Sequence, residues 1–328
     1  MTTAPVGIIG SGAFATALGH VVAARGTEVR LWTEDAALAT EINERHTHRR
    51  LDGVTLSPSL RAESELGAVT HGARVLILAV ASPRVTDVVR ALGAVTDSRH
   101  ILVHAIGAPA ELPGGASTVG DLLLRETGVK RVGVIGGPAL ARDLVDKRPS
   151  AVVCASHFDE VVAKGRAALE VPGILRVYGS HDLRGVELSA ALAGAFTVAL
   201  GLADGLGVGA GPRALLVVRA VAEGTRLTVA AGAKERTFSG LAGLGNLLVR
   251  SATEHSDDYR LGTEVARGGE RTRTETEGSR AAAAAQKTAR RLKVRTPILD
   301  AVCGVVYEGV HAGNAAVRLG EESQGDEE

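Results

Sequence analysis

Six residues near the N-terminus, Gly10, Ser11, Gly12, Ala13, Phe14 and Ala15, have the types and spacing to hold a pyrophosphate. They follow the apolar run Val6-Gly-Ile-Ile9 and open a segment of helical period, the context in which a glycine pattern carries meaning. Gly10 permits the tight turn, and Gly12 lets backbone approach a diphosphate at the helix N-terminus. Ala15, in the third glycine position, is small enough to keep helix and strand close. After the next apolar run, Glu28-Val-Arg-Leu-Trp32, come Thr33, Glu34 and Asp35. An acidic residue about 20 positions past such glycines accepts hydrogen bonds from the adenosine ribose, and its charge opposes a 2′-phosphate. Glu34 therefore predicts NAD in preference to NADP.

A second stretch raises the opposite question. From Val186 to Gly201 the chain has helical period, yet after Glu187 it carries no ionisable side chain. Leu188, Leu192, Phe196 and Leu200 fall on one face of that helix. Cys154 and Cys303 lie in apolar segments without metal-ligand spacing and are read as reduced core residues, so no metal site is expected.

These residues need elements to position them. Short apolar runs alternate with helical stretches from Val6 through Val75-Leu-Ile-Leu78, His100-Ile-Leu-Val103, Val132-Gly-Val-Ile135, Ser150-Ala-Val-Val-Cys154 and Leu175-Arg-Val-Tyr178. That alternation predicts a parallel sheet with crossover helices. It stops near Gly185, beyond which only helical period is visible; Pro212 and Pro297 suit first helical turns. The expected fold is an α/β Rossmann-type dinucleotide-binding domain over residues 1–184, an all-helical domain over 185–320, and a disordered acidic tail over 321–328.

Composition constrains the rest. Hydrophobic residues make up 45% of the 328 and aromatic ones only 2%, so Ala, Val and Leu must build the core with closely packed helices. Lys and Arg balance Asp and Glu at 37 each, leaving no global field to draw in nucleic acid. Neither a signal-peptide pattern nor a run of eighteen apolar residues is present, and a cytoplasmic protein without a membrane span is expected.

Scattered matches resemble the bacterial NAD(P)-dependent glycerol-3-phosphate dehydrogenase family. They include Ile9 to Leu18, Leu31-Trp32, Ile42-Asn43-Glu44, Gly137-Pro138, Gly185-Val-Glu-Leu188, Ala203-Asp-Gly-Leu206, Thr237 to Gly245, Glu277-Gly278 and Pro297-Ile298. The resemblance implies NAD as cofactor, Glu277 as a further cofactor contact and a homodimer formed through the helical half. It also implies a lysine-rich pocket that clamps a phosphate dianion while a base takes the hydroxyl proton.

The positions of that pocket depart from the family. Ile106 stands for a lysine before Gly107, Ala193 and Gly194 for the catalytic lysine and asparagine, Gly211 for an asparagine and Asn246 for an aspartate. Asp257 and Asp258 stand for the arginine and asparagine that grip phosphate, so positive charge is removed and negative charge added. The two new carboxylates are expected to repel a phosphate. His104 and His255 lie beside vacated positions and are read as locally packed or loop residues rather than proton carriers. Arg250, Lys234 and Arg236 are read as surface charges, and Glu187 as support for its helix. The expected function is NAD(H) binding without glycerol-3-phosphate turnover, in a regulatory or scaffold role with an unidentified protein partner. The alternatives are an oxidoreductase for a non-phosphorylated, cationic substrate, and an active dehydrogenase with a rebuilt site.

Overall fold

The computed structural model describes residues 4–108, 110–112, 115–253, 256–268 and 274–321. The chain divides into two compact units, the first ending at Leu183 and the second running from Arg184, with Gly107 and Ala108 grouped with the second.

The first unit is built on an eight-stranded sheet. Its strands are β1 (Val6–Ile9), β2 (Val29–Trp32), β3 (Leu60–Glu63), β4 (Val75–Leu78), β5 (Ile101–His104), β6 (Arg131–Gly136), β7 (Ser150–Ala155) and β8 (Leu175–Ser180), in the spatial order β8-β7-β6-β5-β4-β1-β2-β3. Alternate residues feed two cores. Ile8, Ile77 and Val103 face one layer, and Ile9, Leu78 and Leu102 face the other. Side chains buried on both faces explain why the central strands read as continuous apolar runs. The order reverses beside β1, whose two neighbours are β2 and β4, which is where an open α/β sheet offers a ligand crevice.

Two features differ from the sequence reading. β3 is not legible there, because Leu-Arg-Ala-Glu offers only two apolar residues; as an edge strand it needs just one buried row, Leu60 and Ala62. The sheet is also not wholly parallel: β6 and β7 pair antiparallel, with Val134 opposite Ala155. Apolar runs buried on both faces carry no record of strand direction.

The second unit is helical among the described residues. Its main helices are α2 (Leu183–Gly205), α3 (Ala210–Ala230), α4 (Asp257–Arg267), α5 (Glu277–Leu292), α6 (Pro297–Tyr307) and α7 (Ala312–Glu321); α1 (Ala13–Ala24) belongs to the first unit. Instead of one apolar stripe, α2 is buried around nearly its whole circumference, with Leu188 among its less covered positions. It is the central helix of the unit. By length and composition it could cross a membrane, but its apolar side chains form the core with those of α3 to α7.

The shortage of aromatic residues has the expected consequence. α2 lies on α4 so closely that a Cβ at Gly201 would strike the carbonyl of Tyr259, and one at Gly262 the carbonyl of Val198. Phe196 and Phe238 supply a rare bulky contact, edge to face at 5.9 Å. Cys154 and Cys303 are buried free thiols, and burial pushes both up to about 12, so neither is a thiolate at neutral pH. The described part of α7 includes Glu321, so the helix takes in the first residue assigned to the tail; the remaining tail residues, 322–328, lie outside the described residues.

Candidate functional site

The glycine turn sits between β1 and α1. Gly10 has φ +121°, and a Cβ there would stand 2.5 Å from the Ala79 carbonyl oxygen at the end of β4, so only glycine fits. Nothing lies within 4 Å of where a Gly12 Cβ would be, and Gly12 is the α1 N-cap without a side-chain cap. An open approach to an uncapped helix N-terminus is what a pyrophosphate requires. Ala15 is buried against the core, while Ala13 and Phe14 are partly buried beside it.

The rest of the turn is held by a network that sequence inspection did not find. Ser11 Oγ donates to Thr33 Oγ1 at 2.8 Å, and Thr33 Oγ1 accepts the Asp35 N–H at 3.2 Å. His48 is buried, and its Nδ1 accepts the Arg50 N–H at 3.1 Å. Its Nε2 therefore carries the proton and donates to the Ser11 carbonyl at 3.0 Å. Burial holds this imidazole below its ordinary pKa, so the ring is neutral and the tautomer is set by its partners. A lone histidine in a polar stretch carries no pattern that would announce this.

Beside the turn lies a cavity of about 210 Å³ lined by the glycines, Thr33, Glu34, Asp35 and three arginines, Arg49, Arg50 and Arg84. Glu34 is not the lone carboxylate that the sequence implied: Arg84 pairs with it at 2.7 Å. Asp35 caps the following helix by accepting the Leu38 N–H at 3.0 Å and pairs with Arg49. The Leu38 bond first, and Arg49 second, hold its carboxyl below the usual carboxylate range. Charge around the cavity is thus nearly compensated, with one arginine in excess. The residues fit a dinucleotide.

In the first unit Ile106 is buried among Ile9, Leu78 and Leu102, an apolar packing role. His104 is fully buried at the end of β5, and its Nδ1 accepts the Ile106 N–H at 3.4 Å.

In the second unit several predicted positions converge. Gly194 on α2, Asp258 on α4, Gly278 at the start of α5 and Arg250 form one cluster. A Cβ on Gly194 would lie 3.2 Å from Asp258 Oδ2, 3.2 Å from Gly278 Cα and 3.6 Å from Arg250 Nη2. Asp258 is 1% exposed; its Oδ1 accepts the Gly278 N–H at 2.8 Å and its Oδ2 pairs with Arg250. Arg250 is therefore not a solvated surface charge, and its Nε is buried without a hydrogen-bond partner among the described residues. Asp257 pairs with Arg260. The two aspartates are consequently not open charges facing a ligand, as the sequence had implied; each is engaged by an arginine.

The remaining positions are structural in character. Ala193 is fully buried in the helical core and Asn246 is buried at the start of the short helix Asn246–Arg250. Glu187 is buried on α2, and Gly211 lies in the first turn of α3. Glu277 opens α5 behind the Thr276 cap, with Arg280 at 3.3 Å. Lys234 and Arg236 are exposed. His255 lies outside the described residues. No cluster of His, Cys, Asp and Glu able to hold a metal occurs among the described residues.

The family model for the N-terminal part of NAD-dependent glycerol-3-phosphate dehydrogenase matches residues 5–162, and the model for its C-terminal part matches residues 182–316. The chain belongs to the NAD-dependent glycerol-3-phosphate dehydrogenase family. A relative from Burkholderia lata, named glycerol-3-phosphate dehydrogenase (NAD(P)+), is 34% identical over 96% of this chain and 97% of its own. One of the same name from Myxococcus xanthus is 33% identical over 95% of each. The solved glycerol-3-phosphate dehydrogenase of Coxiella burnetii superposes with a TM-score of 0.91 at 27% identity, covering 98% of this chain and all of that one. NAD as the cofactor of this glycerol-3-phosphate dehydrogenase family member agrees with the glycine turn and its cavity.

Proposed function

We propose that this chain binds NAD(H) at the Gly10–Ala15 turn and does not turn over glycerol 3-phosphate, serving as a non-catalytic, cytoplasmic, homodimeric member of its family with a regulatory or scaffold role. The observation that carries the reading is the ion pair packed against Gly194. Where the resemblance calls for a lysine and an asparagine, a buried methyl and a glycine stand under a guanidinium that Asp258 engages. No group among the described residues there is placed to accept a hydroxyl proton, and loss of a positioned base costs about 10²- to 10⁴-fold. The phosphate grip fails as well, through internal neutralisation of the cation rather than open repulsion.

The same pairing weakens the case for a cationic substrate, since neither aspartate is left to meet one. An oxidoreductase reading therefore narrows to a neutral substrate.

The test is spectrophotometric. NADH should bind in a fluorescence titration, while no absorbance change at the nicotinamide band should follow addition of millimolar dihydroxyacetone phosphate with NADH, or glycerol 3-phosphate with NAD, between pH 6 and 10. Turnover on the order of one per second or more would overturn the reading. Rebuilding the site as Ile106→Lys, Ala193→Lys, Gly194→Asn, Asn246→Asp, Asp257→Arg and Asp258→Asn should restore activity only when Arg250→Ala is added, because the guanidinium stands 3.6 Å from where a side chain introduced at Gly194 would begin.

A further inference from the structure

At the far end of α5 from Gly278, a cavity of about 520 Å³ opens between α5, α6 and α7. Its volume falls within the range of small-molecule sites, about 300–1,000 Å³. The floor is apolar, formed by Val294, Pro297, Ala301, Val310, Ala315 and Leu319. The rim is charged. Arg290 comes from the last turn of α5, Arg295 from the α5–α6 connection and Arg318 from α7; Asp300 and Glu308 come from α6 and its end.

Two of the three arginines are left without a partner among the described residues. The Gln286 amide donates to Asp300 Oδ1 at 2.7 Å, so that carboxylate is engaged within the wall. Among the described residues the Arg290 and Arg318 side chains have no ion-pair or hydrogen-bond partner. An arginine in a last helical turn is favourable in itself, which accounts for Arg290. It does not account for two unpartnered guanidinium groups brought to one cavity by α5 and α7. The unpartnered guanidinium groups of Arg290 and Arg318 make the cavity complementary to an anion.

We propose that this cavity is a second ligand site, distinct from the glycine turn, for a small carboxylate with an apolar body. The carboxylate binds at Arg290 and Arg318, whose planar forks match its geometry, and the hydrocarbon part lies over Ala301 and Leu319.

The experiment is calorimetric titration of the full chain with 2-naphthoate in the presence of saturating NADH. Sub-millimolar binding is expected. 2-Naphthol, which lacks the charge, and acetate, which lacks the body, should each bind at least about tenfold more weakly. The double variant Arg290→Gln, Arg318→Gln should weaken naphthoate at least about tenfold while leaving NADH affinity unchanged. Ala301→Leu, which fills the floor, should weaken it too, with thermal melting confirming that each variant is folded. The proposal is overturned by absence of binding at several millimolar, by displacement of naphthoate with NADH, or by equal affinity in the double arginine variant. Tighter binding of 2-naphthyl phosphate than of naphthoate would overturn the assignment to a carboxylate.

Discussion

At the scale of single residues, two arginines decide how the sites behave, and neither announced its role. Arg84 pairs with Glu34, the residue taken as the arbiter between NAD and NADP. Both side chains are about half exposed, so the pair is weak in free energy but its charge effect at the cavity is direct. Arg84→Ala should leave Glu34 unopposed and lower NADPH affinity relative to NADH by about three- to tenfold, read from paired fluorescence titrations; an unchanged ratio would show that Glu34 does not face the ribose. Arg250 is engaged by a carboxylate that is 1% exposed. Removing one partner of such a pair leaves the other charge buried, so Arg250→Leu should destabilise by about 2–4 kcal/mol in denaturant unfolding. Adding Asp258→Asn to Arg250→Leu should recover much of that loss. Additive effects in this double-mutant cycle would mean that the two side chains do not act as a unit.

At the scale of elements, the second unit depends on helices meeting backbone to backbone. The α2–α4 contact leaves no room for a methyl at Gly262, so Gly262→Ala should cost about 2–3 kcal/mol net, even after the roughly 1 kcal/mol gained from helix propensity. A midpoint in denaturant equal to that of the native chain would contradict the packing.

The start of α6 adds a pH dependence. Glu223 on α3 is 1% exposed, and its two oxygens accept the N–H groups of Ile298 at 2.9 Å and Leu299 at 3.1 Å. Burial is the largest influence and pushes its carboxyl from 4.5 up to about 7, with the two N–H donors acting against it. A folded pKa above the unfolded one means that the native state binds the proton more tightly. Glu223 therefore favours folding most below about pH 4.5, and that contribution declines as pH rises to about 7, by up to roughly 3 kcal/mol. Glu223→Gln should remove this component, so the difference in stability between native and variant chains should shift between about pH 4.5 and 7. A constant difference would refute the assignment.

At the scale of the whole molecule, the proposed homodimer has a physical motive in large apolar side chains left at the surface of the helical unit. Leu215 and Val218 on α3 are 52% and 59% exposed, and Val317 on α7 is 60% exposed. Closed two-fold association is the usual way to cover such a surface. Light scattering at micromolar concentration should give twice the 33.6 kDa mass of one chain, and Leu215→Asp with Val218→Asp should halve it. A monomer in the native chain would count against the apolar face as an interface.

The sequence alone determined the alternating α/β architecture, the helical second half and the glycine turn, because each is a local pattern. Strand runs, helical period and the Gly10-to-Ala15 spacing are written in neighbouring residues, and burial enforces them wherever they occur. It missed β3, whose two apolar residues make too short a run, and the reversed direction of β7, since both faces of an inner strand are apolar whichever way it points. It also singled out Gly194, Asp257 and Asp258 as site positions, but not the arginines that engage the two carboxylates. Arg84 lies 50 residues from Glu34, and Gly278 lies 84 residues from Gly194. Only the tertiary structure could bring those pairs together, and whether a carboxylate repels a ligand or neutralises a neighbouring guanidinium depends on distances of a few ångströms that residue order does not encode.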